Sequence, residues 1–209
     1  MKKGILVCAA VVLLFSVGAA PAAAASRFGF GLKAGFSLAN NVWSDDDGME
    51  KSLIRPTFGV FALIKLSPML AVQSELNYRT MGEWWDDDGD KIVETFNYLH
   101  IPVLIRARLM SEGTFVPVVF AGPVVGFLLS AKEAGYDIKD FFKTTDFGVD
   151  LGLGAEIGTG KVKGLLDLRY YLGLTNAYSR PPIILTMALP PTDFSMKNRG
   201  FVFTAGLIF

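Results

Sequence analysis

From Phe28 onward, apolar and small or polar residues alternate. Phe28, Phe30, Leu32, Ala34, Phe36 and Leu38 interleave with Gly29, Gly31, Lys33, Gly35 and Ser37, a period of two that puts the two sets on opposite faces of a β-strand. The pattern returns at residues 55–66, where Pro56, Phe58, Val60, Ala62, Ile64 and Leu66 oppose Arg55, Thr57, Gly59, Phe61, Leu63 and Lys65, and again at residues 70–80. In the fourth segment Leu99, Ile101, Val103, Ile105, Ala107 and Leu109 face away from Tyr98, His100, Pro102, Leu104, Arg106 and Arg108. Residues 114–129 are apolar on both faces and carry Pro117 and Pro123, so position along the chain, more than alternation, marks them as a strand. Residues 147–158 and 163–174 alternate again, and residues 200–209 set Phe201, Phe203, Ala205, Leu207 and Phe209 on one face.

Segments of about ten alternating residues suit tilted strands that cross a bilayer, and an even number of them closes without an exposed edge. The connections agree. Residues 67–69, 110–113 and 159–162 form short turns, while 39–54, 82–93, 130–146 and 175–199 are long. Short turns follow the second, fourth and sixth strands, as in barrels with short periplasmic turns and long external loops. The expected fold is all-β: an eight-stranded antiparallel up-and-down transmembrane β-barrel with both termini in the periplasm.

The chain begins Met1-Lys2-Lys3, then runs apolar from Ile5 to Val17 and small to Ser26, the three regions of a secretory signal. The expected division is a cleaved signal over residues 1–25 and one barrel domain over 26–209. Cys8, the only cysteine, lies within the signal, too early for a lipoprotein attachment site, so the expected mature chain has no disulfide and no cysteine ligand. Hydrophobic residues make up 51% and mean hydropathy is +0.40, high for a soluble chain, yet no apolar stretch after Ser26 is long enough for a spanning helix. Twenty basic and twenty acidic residues balance, and nothing points to nucleic acid.

With the polar faces turned inward, the lumen receives Lys33, Arg55, Lys65, Glu75, Arg79, His100, Arg106, Arg108, Asp150, Glu156, Asp167 and Arg169. Eight strands leave an interior that side chains can fill, which favours a structural polar plug over a conducting pore. His100, the only histidine, is placed in that plug. Two acidic clusters, Asp45-Asp46-Asp47-Gly48 and Asp86-Asp87-Asp88-Gly89-Asp90, fall in long loops. Asp45, Asp47, Asp86, Asp88 and Asp90 are candidate oxygen ligands for hard cations, including those bridging lipopolysaccharide phosphates, although the spacing does not reproduce a calcium loop; the alternative is a solvated turn. Trp43, Trp84, Trp85, Tyr78, Tyr98, Tyr170 and Tyr178 suit an aromatic girdle at the external interface. No catalytic triad, phosphate loop or dinucleotide fingerprint is present, so no enzyme activity and no cofactor are expected. The apolar stretch 183–191 lies in the longest loop.

GLKAGFSLAN at Gly31, YLHIPVLIRARL at Tyr98, FAGPVVGFLLSAK at Phe120, DFGVDLGLGAEIG at Asp146, LDLRYYLGLTNA at Leu166 and the closing GFVFTAGLIF resemble the outer-membrane β-barrel family related to PorT. That resemblance implies a part in secretion across the outer membrane. It also implies that the terminal strand, through Phe201, Phe203, Leu207 and Phe209, is the signal read by the outer-membrane assembly machinery. Three functions remain open: a barrel whose loops bind a surface partner or join a secretion complex, a small porin-like or hydrophobic-ligand transport barrel, and a soluble lipocalin-like carrier with its apolar face inward. The expected partners are outer-membrane lipid with lipopolysaccharide and the assembly machinery.

Overall fold

The computed structural model describes residues 27–43, 51–87, 90–179 and 195–209. Residues 1–26, and with them the signal expected over 1–25, lie outside the described residues. So do Asp45, Asp47, Asp88 and the stretch 183–191.

The described strands are β1 (Phe28–Trp43), β2 (Lys51–Lys65), β3 (Leu70–Asp87), β4 (Asp90–Arg108), β5 (Phe115–Glu133), the two-residue β6 (Tyr136–Asp137), β7 (Thr145–Ile157), β8 (Lys163–Gly173) and β9 (Met196–Ile208). All but β6 pair antiparallel with their neighbours in one ring, closed by β9 on β1. The fold is therefore an eight-stranded antiparallel barrel, with β6 appended to the end of β5.

Stagger follows from the pairing. From Phe28 one passes through Ile64, Val72, Ile105, Ala121, Leu151, Tyr170 and Phe201, and returns to β1 at Leu38, ten residues further along. For eight strands, such an offset demands a tilt of roughly 40° from the barrel axis. Every residue on that path faces outward, and none is charged. Phe30, Phe58, Ile105 and Leu153 are more than half exposed, an outlay of apolar surface that makes sense only against hydrocarbon. The lipocalin-like alternative, which needs that face inside, is excluded by this orientation.

The structure shifts several boundaries. Residues 82–93, expected as an open loop, mostly continue β3 and β4, with Trp84 opposite Val93 and Trp85 opposite Ile92. Lys91 stands 4.0 Å above the Trp84 ring, so cross-strand packing carries the hairpin past the barrel wall. Gly82, at φ 143°, permits the extension; a Cβ there would meet the Glu94 carbonyl oxygen. β5 also runs on to Glu133, through a register shift where it passes Asn97 and Tyr98. That shift turns Ala131 inward.

Candidate functional site: the barrel lumen

Alternation sends every second side chain inward, and the stagger decides which of them meet. Lys33 of β1, Glu75 and Arg79 of β3, Arg106 of β4, Asp150 of β7 and Asp167 and Arg169 of β8 come together as one ion network, no side chain more than 2% exposed. Arg169 is its hub. Its Nη1 donates to Glu75 Oε2 at 2.9 Å and Asp150 Oδ2 at 3.1 Å, and its Nη2 to Asp167 Oδ2 at 3.1 Å. Each carboxylate also has a cation of its own: Lys33 bonds Glu75, Arg79 reaches Asp150 at 3.4 Å, and Arg106 grips Asp167 at 3.2 Å. Gln73 and Asn77 add amide donors to Glu75. Four cations thus share three carboxylates, and mutual hydrogen bonding offsets the cost of taking them out of water. Phe120 lies beneath two of the guanidinium groups, 5.0 Å from Arg106 and 5.1 Å from Arg169.

Toward the long loops the lumen turns aromatic. His100 is fully buried between Tyr98, at 5.4 Å, and Tyr171, at 4.9 Å. Neither of its ring nitrogens has a hydrogen-bond partner among the described residues, so His100 sits beside the ion network through tilted ring contacts and is not a member of it. Gly126 makes room for the ring, since a Cβ there would lie 2.7 Å from His100 Cδ2. Tyr98 is also inside the lumen, not in an interfacial girdle: Asn198 Nδ2 donates to its Oη at 3.2 Å. The same amide and Tyr171 Oη both donate to Asp146 Oδ2 at 2.9 Å. Asp146, at the end of the connection expected over 130–146, shares the inward parity of Asp150 and is buried with it.

Above these residues the connection between β5 and β7 folds over the mouth. A single turn of 3-10 helix at Lys139–Phe141 precedes Phe142, whose ring lies 4.8 Å from Phe96 and 4.8 Å from Tyr178. Lys143 N donates to Ala177 O at 2.8 Å and Ser179 N to Phe141 O at 2.9 Å, fastening the two connections to each other. Phe96, Phe142, Met81, Met196 and Leu128 are buried there in one apolar cluster. Burial, with Glu94, Glu133 and Glu83 nearby, holds the Tyr178 phenol above its ordinary range.

At the short-turn end Arg108 and Glu156 form a separate pair at 3.4 Å, and Arg108 also donates to the Pro68 and Ser111 carbonyls. This mouth holds a vestibule of about 480 Å³. A small apolar cluster of Phe61, Leu165 and Ile208 stands between it and the ion network, with Lys33 Nζ 6.0 Å from the Phe61 ring. Lys65, expected in the lumen, is exposed at the rim.

The terminal aromatics face outward on β9. Phe201 packs on Tyr170 at 4.9 Å, Phe203 on Phe36 at 5.5 Å and Phe209 on Phe30 at 5.6 Å, while Leu207 is exposed beside them. Tyr78 stacks outward on Phe58 at 5.1 Å. Asp86 and Asp90 are exposed at the β3–β4 tip. Among the described residues no group of three His, Cys, Asp or Glu side chains is placed to hold a metal ion.

Comparison with known proteins agrees with this architecture. Residues 19–179 match the family described as outer membrane protein beta-barrel domain. Among solved structures, Neisserial surface protein A is 14% identical, with 87% of this chain and 95% of that one covered at a TM-score of 0.56. The outer membrane protein OprG from Pseudomonas aeruginosa is 12% identical, with 88% and 96% covered and a TM-score of 0.54. No curated protein sequence matches. At these identities the two structures speak for the fold alone.

Proposed function

The chain belongs to the outer membrane protein β-barrel family, and on that footing we propose that it is a non-conducting, non-enzymatic barrel acting through the surface at its long-loop end. The observation that carries this reading is the filled lumen: a buried ion network across the middle and an aromatic lid across one mouth. An eight-stranded barrel has little width to spare once side chains occupy it. At the long-loop end what remains for recognition is the rim, where the β3–β4 tip exposes Asp86 and Asp90 and the β5–β7 connection exposes Tyr136 at 79%. An exposed aromatic group with polar residues around it, on an ordered support, is suited to holding a surface partner. The elements that resemble PorT-related barrels extend the reading to a place in a secretion complex.

In this reading the short turns and both termini are periplasmic, and the outward aromatics of β9 through Phe209 serve as the assembly signal. Planar-bilayer recording tests the central claim. The purified barrel should show no conductance steps; steps from the unmodified protein would establish a transport barrel instead. Orientation is checked with single cysteines at Tyr136 and Lys161: an impermeant maleimide should label the first in intact cells and the second only after the outer membrane is opened. Deleting Phe209 should lower outer-membrane accumulation several-fold in a fractionation assay.

A further inference from the structure

The vestibule at the short-turn mouth combines two features that the filled middle of the barrel lacks: accessible space and uncompensated charge. Its inner wall is apolar, formed by Leu63, Ala71 and Ile208, each less than a tenth exposed beneath the rim, with Phe61 and Leu165 buried behind Ile208. Its rim carries Lys65, Lys161 and Lys163, none of which has an ion pair or side-chain hydrogen bond among the described residues. The other charged side chains in its lining, Arg108 and Glu156, are spent on each other. A cavity of about 480 Å³ falls within the size range of small-molecule sites. Apolar walls beneath a rim with three unpaired lysines select for a ligand that is apolar at one end and anionic at the other.

We propose that this vestibule binds a single-chain anionic amphiphile, a fatty carboxylate in chemical class, with its tail against Leu63, Ala71 and Ile208 and its head among Lys65, Lys161 and Lys163. The cluster of Phe61, Leu165 and Ile208 stops the tail short of the ion network, so the ligand is held and does not pass through. The other available occupant is the segment preceding Arg27 in a chain whose signal is retained, because Phe28 and Gly29 line the same vestibule. Charge argues against it. That segment is alanine-rich without acidic residues and would bring no anion to the rim.

The full chain in zwitterionic phosphatidylcholine nanodiscs is irradiated with a diazirine derivative of palmitic acid, with the matching diazirine alcohol as control, and the labelled positions are mapped by mass spectrometry. The acid should label Leu63, Ala71 and Ile208 at least tenfold more than the alcohol does. Replacing the rim charges together (Lys65→Gln, Lys161→Gln, Lys163→Gln) should lower that labelling at least fivefold, and Ala71→Trp, which fills the space, should abolish it. Retained heat-dependent gel mobility shows that each variant is folded. Labelling confined to outward side chains such as Ile105 and Leu151, equal labelling by the alcohol, or indifference to both variants would overturn the proposal. So would vestibule labelling that appears only after removal of residues preceding Arg27, which would make that segment the occupant. Conductance plays no part in this readout, so the site stands or falls separately from the non-conducting role.

Discussion

At the long-loop mouth Phe96, Phe142 and Tyr178 close over the lumen; at the short-turn mouth Leu63, Ala71 and Ile208 line the floor of a vestibule. The difference originates in the connections. Residues 134–144 and 174–179 are long enough to fold back and bond to each other, as Lys143 to Ala177 and Ser179 to Phe141 show. The short turns between β2 and β3 or between β7 and β8 have no chain to spare and leave the strand ends standing as a rim. One mouth is therefore sealed by tertiary packing, whereas the other is shaped by strand ends alone. The ion network between them is what both mouths depend on, because it fixes the strands whose ends they are.

The largest effect should come from breaking that network at a carboxylate. Glu75→Leu strands Lys33 and Arg169 and leaves four buried cations with two anions, and loss of one partner from a buried pair costs about 3–5 kcal/mol. Urea unfolding of the barrel in lipid, followed by tryptophan fluorescence, should show a shift of that size. Arg169→Met should cost distinctly less, since Lys33, Arg79 and Arg106 still serve Glu75, Asp150 and Asp167 one to one. An equal or larger loss for Arg169→Met would show that the hub, and not the charge balance, holds the lumen together.

A sharper contrast comes from the lid. Phe142→Ala removes a buried ring at the sealed mouth, and a truncation of this kind costs about 3 kcal/mol where the site is fully packed. The barrel wall does not depend on the lid, so the cost should appear as local opening. Hydrogen exchange at Lys143 and Ser179 should rise well over tenfold while the urea midpoint stays nearly constant. A parallel fall in global stability would make the lid part of the barrel's cooperative unit.

Alkaline pH should act at the same mouth and more gently. Tyr178 has a phenol raised in the folded state by burial and by the glutamates around it. Its stabilising contribution is therefore complete below about pH 10, the ordinary phenol value, and is lost as pH rises toward the folded value. Exchange at Ser179, corrected for intrinsic rate, should increase above about pH 10, and Tyr178→Phe should remove that dependence. No change on substitution would place the sensitivity elsewhere.

How far the sequence could foresee these features depends on distance along the chain. Lys33, Glu75, Arg106, Asp150 and Asp167 could be assigned a face because parity is local and a charge on the other face would meet lipid. Which of them touch could not be read. Glu75 and Arg169 come from β3 and β8, and their meeting is set by a stagger that only the closed ring defines. The lid has no periodicity to announce it, so Phe142 looked like a loop residue, and Tyr178, expected in the girdle, packs on Phe142 instead. Two misplacements were avoidable. Tyr98 shares the inward parity of His100 and Arg106, and its aromatic character alone suggested a girdle. Asp88-Gly89, a dipeptide typical of two-residue hairpin turns, argued for a β-hairpin where an open loop was expected.

The smallest effect belongs to the open mouth. Lys65 and Lys161 are exposed, and with Lys163 they lie among other cations without a carboxylate of their own. Removing surface charges of this kind takes away no paired interaction and relieves some mutual repulsion. Lys161→Gln and Lys163→Gln should therefore leave the urea midpoint unchanged within measurement, in the same assay where Glu75→Leu produces its large shift. Should either lysine prove important for stability, it would have to be bonded within the fold, and the rim would not be free to receive an anion. Tolerance at Lys161 and Lys163, set beside sensitivity at Phe142, would instead separate a mouth held shut by packing from one whose side chains are left over from folding and available for binding.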